Sequence, residues 1–241
     1  MRKIGIIDLG SNTTRLIVMA YQPGHCFRLV DEVSEVVRLA EGVSATGQLQ
    51  ARPIRRAVEA LRMFEILCRS TGVEQIIAVG TSAIREATNQ EDFWHALRSQ
   101  TPLDLRIISA HEEAYYAYVG ATNALNLQNG FIFDTGGGST QVDAVVNRRL
   151  VESFSAQAGV VRFTERFVNS DPISKRDLRA LTESARQVFA KLDWLRAGDG
   201  KVLAGMGGTV RTLARIDQKL RCHPIDRIHG YVLTRAARVA I

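Results

Sequence analysis

Apolar and polar residues alternate with two different periods along this chain, and the places where the period changes divide it into elements. "KIGIIDLG", "TRLIVMAYQ" and "FRLVDEVSEVV" predict three consecutive strands joined by tight turns. After "EGVSATGQL" the spacing predicts a helix over Pro53 to Ser70, with the proline acceptable in its first turn. "EQIIAVGT" predicts a buried strand, "NQEDFWHALRSQ" a helix, "LDLRIIS" a strand, and His111 to Ala124 a further helix. Then the pattern restarts. "GFIFDTG", "TQVDAVVN" and "RLVESFSA" repeat the three-strand opening, and helices follow near Val160 to Val168 and Lys175 to Ala197. "KVLAGMGGT" predicts a strand running through a glycine turn into a helix that starts near Val210. Strands with crossover helices, twice over, imply an α/β class with two domains, residues 1–123 and 124–241, and a cleft between them.

The restart repeats residues as well as pattern. An offset of 126 sets Asp8 on Asp134, Gly10 on Gly136, Thr13 on Ser139 and Thr14 on Thr140. Each copy ends a buried strand on an aspartate and continues into a turn of small residues: Ser11, Asn12 and Thr13 in the first, Gly136, Gly137, Gly138 and Ser139 in the second. Glycine permits positive φ and close backbone approach, so the N–H groups of such a turn can form a nest for phosphate oxygens. The adjacent aspartates, Asp8 and Asp134, are candidates to hold Mg²⁺ directly or through water. One such turn alone reads as an ordinary hairpin; two matched copies reverse that preference. A third segment, "GMGGT", sets Gly207, Gly208 and Thr209 before a helix whose N-terminal partial charge favours an anion. Neither a P-loop nor a GxGxxG fingerprint is present.

Composition narrows the class. The 46% hydrophobic and 23% charged content of 241 residues is that of a globular chain. No apolar run approaches the roughly 18 residues that span a bilayer, and no signal-peptide pattern opens the chain, so a cytoplasmic location is expected. Three scattered cysteines and five histidines without ligand spacing argue against a disulfide framework and a zinc site. The net charge of +6 is uneven: residues 1–122 carry 13 basic and 14 acidic side chains, residues 123–241 carry 18 and 11. The second half therefore suits an anionic partner. No aromatic-interleaved basic segment accompanies the charge, which ranks nucleic acid last.

The two "DxGS/GGGST" loops and "GxGGT" resemble the actin, Hsp70 and sugar-kinase superfamily. "VRLAEGV", "GTSAIREATN", "IISAHEEA" and "GMGGTVRTLA", in that order, resemble its exopolyphosphatase and guanosine pentaphosphate phosphatase branch. The resemblance implies two RNase H-like (actin-like ATPase) domains around a phosphate cleft, with Mg²⁺ as cofactor. It implies release of terminal phosphate from inorganic polyphosphate, or of the 5′ γ-phosphate from guanosine pentaphosphate. Glu113 is similar to the family's base for water, with Asp134 beside it as catalytic carboxylate. Arg85, placed in the loop after "QIIAVGT", resembles the arginine that clamps the phosphate chain, a role for which a bidentate guanidinium is suited. Arg38 is a weaker candidate of the same kind, since it can equally pair with Glu41. Oligomeric state, a homodimer included, stays open.

The sequence departs from the family pattern at three places. Gln141 stands where a glutamate is usual, Ala110 where a glycine is usual, and "LTRAARVAI" ends as if inside a helix. All three motivate an alternative, a catalytically weak or inactive polyphosphate- or alarmone-binding protein. The third implies a truncated and marginal second domain with exposed apolar surface. A sugar or acetate kinase of the same superfamily is a third reading, opposed by "EEA" and "TSAIREA".

Overall fold

The structure, a computed structural model, describes residues 1–198 and 200–234. Its packing divides the chain into two compact units, one of residues 1–110 and 161–178, the other of residues 111–160 and 179–241. The expected division after residue 123 differs from this one in two ways: the helix expected over 111–124 joins the second unit, and residues 161–178 return to the first. The return is held by the Arg162–Glu86 ion pair at 2.6 Å and by Glu165, whose carboxylate accepts from the Gly42 N–H at 3.0 Å.

Unit one is built on a five-stranded sheet in the order β3-β2-β1-β4-β5, from β1 (Arg2–Leu9), β2 (Thr13–Gln22), β3 (Cys26–Val36), β4 (Gln75–Gly80) and β5 (Leu105–Ile107). Strands β1 to β3 form an antiparallel meander; β4 and β5 add in parallel. Period-two burial along β1 and β2 turns Ile7, Leu9, Leu16 and Val18 inward. They meet α2 (Ala51–Ser70), whose Ile54, Ala57, Val58, Leu61, Phe64 and Cys68 recur at helical spacing and bury one stripe. The short helices α1 (Val43–Thr46) and α3 (Ser82–Glu86), then α4 (Gln90–Arg98), complete the unit.

Unit two repeats the plan with four strands, ordered β8-β7-β6-β9: β6 (Gly130–Thr135), β7 (Thr140–Val146), β8 (Arg149–Ala156) and β9 (Val202–Met206). The offset of 126 read from the sequence also governs the register. Asp8 pairs across the ladder with Arg15, and Asp134 with Gln141; Leu9 pairs with Thr14, and Thr135 with Thr140. Even the bulge recurs, between Val18 and Met19 in one copy and between Ala144 and Val145 in the other.

One face of this second sheet carries Ile132, Val145 and Ala204, packed with Tyr118 and Ala121 of α5 (Ala110–Ala124). Helix α5 is tied to the β7–β8 turn by the Tyr118 hydroxyl, which donates to the Arg148 carbonyl at 2.6 Å, and by Arg148 Nη2, which donates to the Thr122 carbonyl at 2.8 Å. On the other face Phe133 meets Phe189 of α7 (Lys175–Phe189), and Phe131 stacks on Trp194 of the 3₁₀ turn Asp193–Gly198. The helix expected to run from Lys175 to Ala197 thus ends at Phe189 and resumes as that tighter turn. Helices α6 (Val160–Phe167) and α8 (Gly207–Leu220) complete the elements of the described residues. Among the described residues no helix is long and apolar enough to cross a membrane. The helix expected at "LTRAARVAI" falls mostly on residues 235–241, outside the described residues.

Candidate functional site

In unit two the small-residue loop is closed on itself and then roofed by backbone. The Gly136 N–H donates to the Ser139 carbonyl at 3.0 Å, which fixes the turn between β6 and β7. From the far side the Gly159 and Val160 N–H groups donate to the carbonyls of Gly138 (3.1 Å) and Gly136 (3.0 Å). A Cβ on Gly159 would lie 2.4 Å from the carbonyl carbons of both Gly137 and Gly138, so only glycine lets the strand-to-helix connection pack there. Beneath the loop, the Thr135 and Thr140 hydroxyls share a 2.7 Å hydrogen bond, and Thr140 donates to the Ala158 carbonyl at 2.8 Å. The loop carbonyls of Gly136, Gly138 and Ser139 are therefore all engaged.

Asp134, half-buried, ends β6 beside this loop. Strand β9 runs parallel to β6 with Met206 opposite Asp134, and α8 starts at the next residue. The helix begins three residues earlier than the sequence implied, so Gly207, Gly208 and Thr209 are its first turn and not a loop before it. Gly207 has φ +84°, and a Cβ there would lie 2.6 Å from the Thr135 carbonyl and 2.8 Å from Asp134 Oδ1. Glycine thus brings a helix N-terminus against a carboxylate, a favourable pairing with the helix dipole. Gly208 has open space where a Cβ would be.

Glu112 and Glu113 both lie half-buried in the first turn of α5. The sheet face that α5 covers carries, beyond its apolar part, Asp134, Gln141 and Asp143, a cross-strand pair and its neighbour two residues along β7. Gln141 is buried and its Nε2 donates to Ser139 Oγ at 3.0 Å, so the residue at the departed position braces the loop. Asp143 is fully buried; Ser153 Oγ donates to its Oδ1 at 2.7 Å, while Oδ2 has no hydrogen-bond partner. Burial pushes this carboxyl up to about 6, against the opposing pull of the Ser153 hydrogen bond and of His111.

In unit one Asp8 ends β1 exposed to solvent, with Arg15 opposite. The following turn is held through its side chains and carbonyls. Ser11 is buried, its hydroxyl 2.9 Å from that of Ser82 at the start of α3. The Ser11 carbonyl accepts from the Ala40 N–H at 2.8 Å, and the Asn12 carbonyl accepts from Val37 and Arg38. Asn12 and Thr13 stay half-buried at the mouth of the turn. Arg85 lies on α3, not in an irregular loop, and its Nη1 donates to the Ile108 carbonyl at 2.9 Å. Arg38 takes a positive φ of 49° and remains exposed. Glu41, its expected partner, bonds Arg56 at 2.7 Å instead, and that hydrogen bond holds its carboxyl below the usual range.

The structure therefore gathers Asp134, Gly136, Gly137, Gly138, Ser139 and Gly207 at one place in unit two, and Asp8, Ser11, Asn12 and Thr13 beside α3 in unit one. Three contributors were not legible as such: Gly159, Ser82 and Asp143. Gly159 serves as a roof, and "SAQAGVV" reads only as a strand end and a helix start. Asp143 is a single acid in the run "TQVDAVV", where alternation alone would have it face water. Among the described residues no group of three or more His, Cys, Asp or Glu side chains forms a preformed metal cage.

Comparison with known proteins agrees with this architecture. Exopolyphosphatase 1 of Mycobacterium tuberculosis is 27% identical over 219 residues, which cover 89% of this chain and 63% of the relative. Exopolyphosphatase 2 of the same organism is 28% identical over 240 residues, 95% of this chain and 75% of the relative. The chain thus spans less than two thirds of the former's length. Of solved structures, an exopolyphosphatase from Cytophaga hutchinsonii superposes with a TM-score of 0.91 at 23% identity, covering 99% of this chain and 78% of the other, and shows the shared fold. The Aquifex aeolicus member of the Ppx/GppA family superposes with a TM-score of 0.70 at 27% identity, covering 93% and 72%. The profile of the Ppx/GppA phosphatase family matches residues 17–237, and the chain belongs to that family.

Proposed function

We propose that the protein is a phosphohydrolase that removes the terminal phosphate of inorganic polyphosphate, or the 5′ γ-phosphate of guanosine pentaphosphate. The observation that carries this reading is the unit-two loop. The carbonyls of Gly136, Gly138 and Ser139 are bonded within the turn and to its Gly159–Val160 roof, which fixes the glycine backbone as a turn suited to an anion, and the first turn of α8 adds N–H groups beside it. Family membership and the named exopolyphosphatases among its relatives support the same chemistry.

In this reading Glu113 accepts a proton from a water whose oxygen attacks the terminal phosphorus. The bridging P–O bond breaks, and the electron pair leaves on the oxygen of the shortened chain. Gly136, Gly137, Gly138 and Ser139, with Gly207, Gly208 and Thr209, bind the phosphoryl oxygens. In unit one, Ser11, Asn12, Thr13 and Arg85 are the proposed phosphate contacts. Asp134 in unit two and Asp8 in unit one are each proposed as a carboxylate for Mg²⁺. Mg²⁺ keeps much of its water and takes one or two carboxylates plus substrate phosphates. When bound it offsets phosphate charge.

Replacing Glu113 by Gln is expected to slow phosphate release by on the order of 10² to 10⁴-fold and to leave equilibrium polyphosphate binding nearly intact. An unchanged rate sinks the assignment. The commitment of Gln141 to Ser139 favours a second reading, a binder with weak turnover, because an amide held there adds no charge to the site. Polyphosphate and guanosine pentaphosphate that bind at equilibrium without phosphate release, with and without Mg²⁺, select it.

A further inference from the structure

The basic surplus of the second half has a definite place on α8. Past its first turn this helix carries Arg211, Arg215 and Lys219 at every fourth position, which lines them along one side at a rise of about 6 Å per step. All three are exposed, while Ala214, Asp217 and Gln218 bury the adjoining side. Among the described residues none of the three pairs with a carboxylate. The acid of this helix is engaged elsewhere: Asp217 accepts from the Tyr231 hydroxyl at 2.6 Å and from Arg221 Nε at 2.8 Å, and these bonds hold its carboxyl below the usual range. Gln218 donates to the Arg227 carbonyl at 2.9 Å and accepts from the His223 N–H at 2.8 Å through its own carbonyl. These contacts fix the segment after α8 against the helix. Between them lies a cavity of about 320 Å³ whose wall includes Arg215, Lys219 and His223, with Gln218 and Cys222, and Asp226 as its acid.

Unpaired like charges one turn apart repel, and a ligand that bridges them relieves that cost. A compact anion meets one or two of these side chains; a linear polyanion lying along α8 meets all of them. No Phe, Tyr or Trp lines the groove, and the His223 imidazole on its wall is packed edge-on against Tyr231, which favours a phosphate chain over a nucleic acid. We propose that Arg211, Arg215, Lys219 and this groove bind the distal phosphates of a linear inorganic polyphosphate whose terminal phosphate lies at the start of α8. The inference rests on the function proposed above and adds the direction in which the substrate chain leaves the site.

Cys222 lines the groove and is exposed, Cys26 is exposed on β3 of unit one, and Cys68 is buried, so thiol footprinting reads the groove directly. With long-chain polyphosphate present, Cys222 alkylation, followed by mass spectrometry, is expected to slow several-fold while Cys26 is unaffected. Tripolyphosphate should leave Cys222 reactive. Arg215→Gln with Lys219→Gln should abolish the protection, and Asp226→Asn should strengthen it. Equal protection by a single-stranded RNA, equal protection of Cys26, or no response to either set of variants overturns the proposal. Phosphate release from long chains with Cys222 unprotected removes the groove and leaves the hydrolase reading standing. Protection of Cys222 without phosphate release does the reverse.

Discussion

The two small-residue loops share a backbone plan and achieve it by different means. In unit one the turn after Asp8 is held by side chains and neighbouring backbone: the buried Ser11–Ser82 hydroxyl pair, and carbonyls bonded to residues 37–40. In unit two residues 136–138 of the turn have no side chains, and bare backbone packs at Gly159 and Gly207 above the Thr135–Thr140 hydroxyl pair. The surroundings differ in parallel. The sheet face that bears Asp8 leaves Ile6 and Ile77 exposed, whereas the face that bears Asp134 is covered by α5 and buries Gln141 and Asp143 completely or nearly so. A duplicated hairpin thus tolerates either solution as long as the register and the bulge are kept. The second solution is the more brittle, because it depends on atoms that are not there.

The sharpest way to break this contrast is Gly159→Ala. The added methyl meets three backbone atoms of Gly137 and Gly138 at 2.4 Å, and no flexible side chain can give way. A loss of about 3 kcal/mol is expected, at the upper end of the cost of overpacking, together with loss of phosphate binding by unit two. Thermal melts and equilibrium binding check it. A variant that melts and binds as the parent does would show that the roof is not rigid, and the distinction between the two loops would fall.

That dependence also explains what was legible beforehand. The strands, the 126-residue repeat and the aspartate ending each first strand could be read because alternation and small-residue turns are local properties of the chain. Gly159 could not, since its constraint comes from residues 21 positions away that only the fold brings near. The start of α8 was misplaced for a related reason. Two glycines disfavour a helix by propensity, yet Gly207 opens one because no other residue fits between Thr135 and Asp134. Arg85 was placed in a loop because five residues are too few for a helical period to show.

Asp143 offers a second, smaller test, because the 126-residue offset sets it on Ile17 of unit one. Its folded-state pKa of about 6 lies above the unfolded value of 3.8. The folded state therefore binds more protons between those values, and unit two loses stability as pH rises from about 4 to about 6. The loss is at most about 3 kcal/mol and is complete above that window. His111 of α5 is the charged group that acts on it, and its positive form favours the ionised carboxylate, which trims the effect. Asp143→Asn should flatten the decline by about 2 kcal/mol between pH 4 and 7, measured by urea unfolding. A slope equal to the parent's would mean that the carboxyl finds a partner for Oδ2 in solution.

The smallest expected effect belongs to the side-chain solution. Ser11→Ala removes one hydroxyl from a buried pair and leaves Ser82 Oγ without that partner, which costs about 1 kcal/mol. The backbone bonds from Ala40, Val37 and Arg38 to the same turn are untouched, so its shape should survive. The double change Ser11→Ala with Ser82→Ala should cost no more than the single one, since the orphaned hydroxyl is gone as well. If the single variant instead matched the damage of Gly159→Ala in a melt, the unit-one turn would be as brittle as its twin, despite holding three backbone bonds that the substitution does not reach.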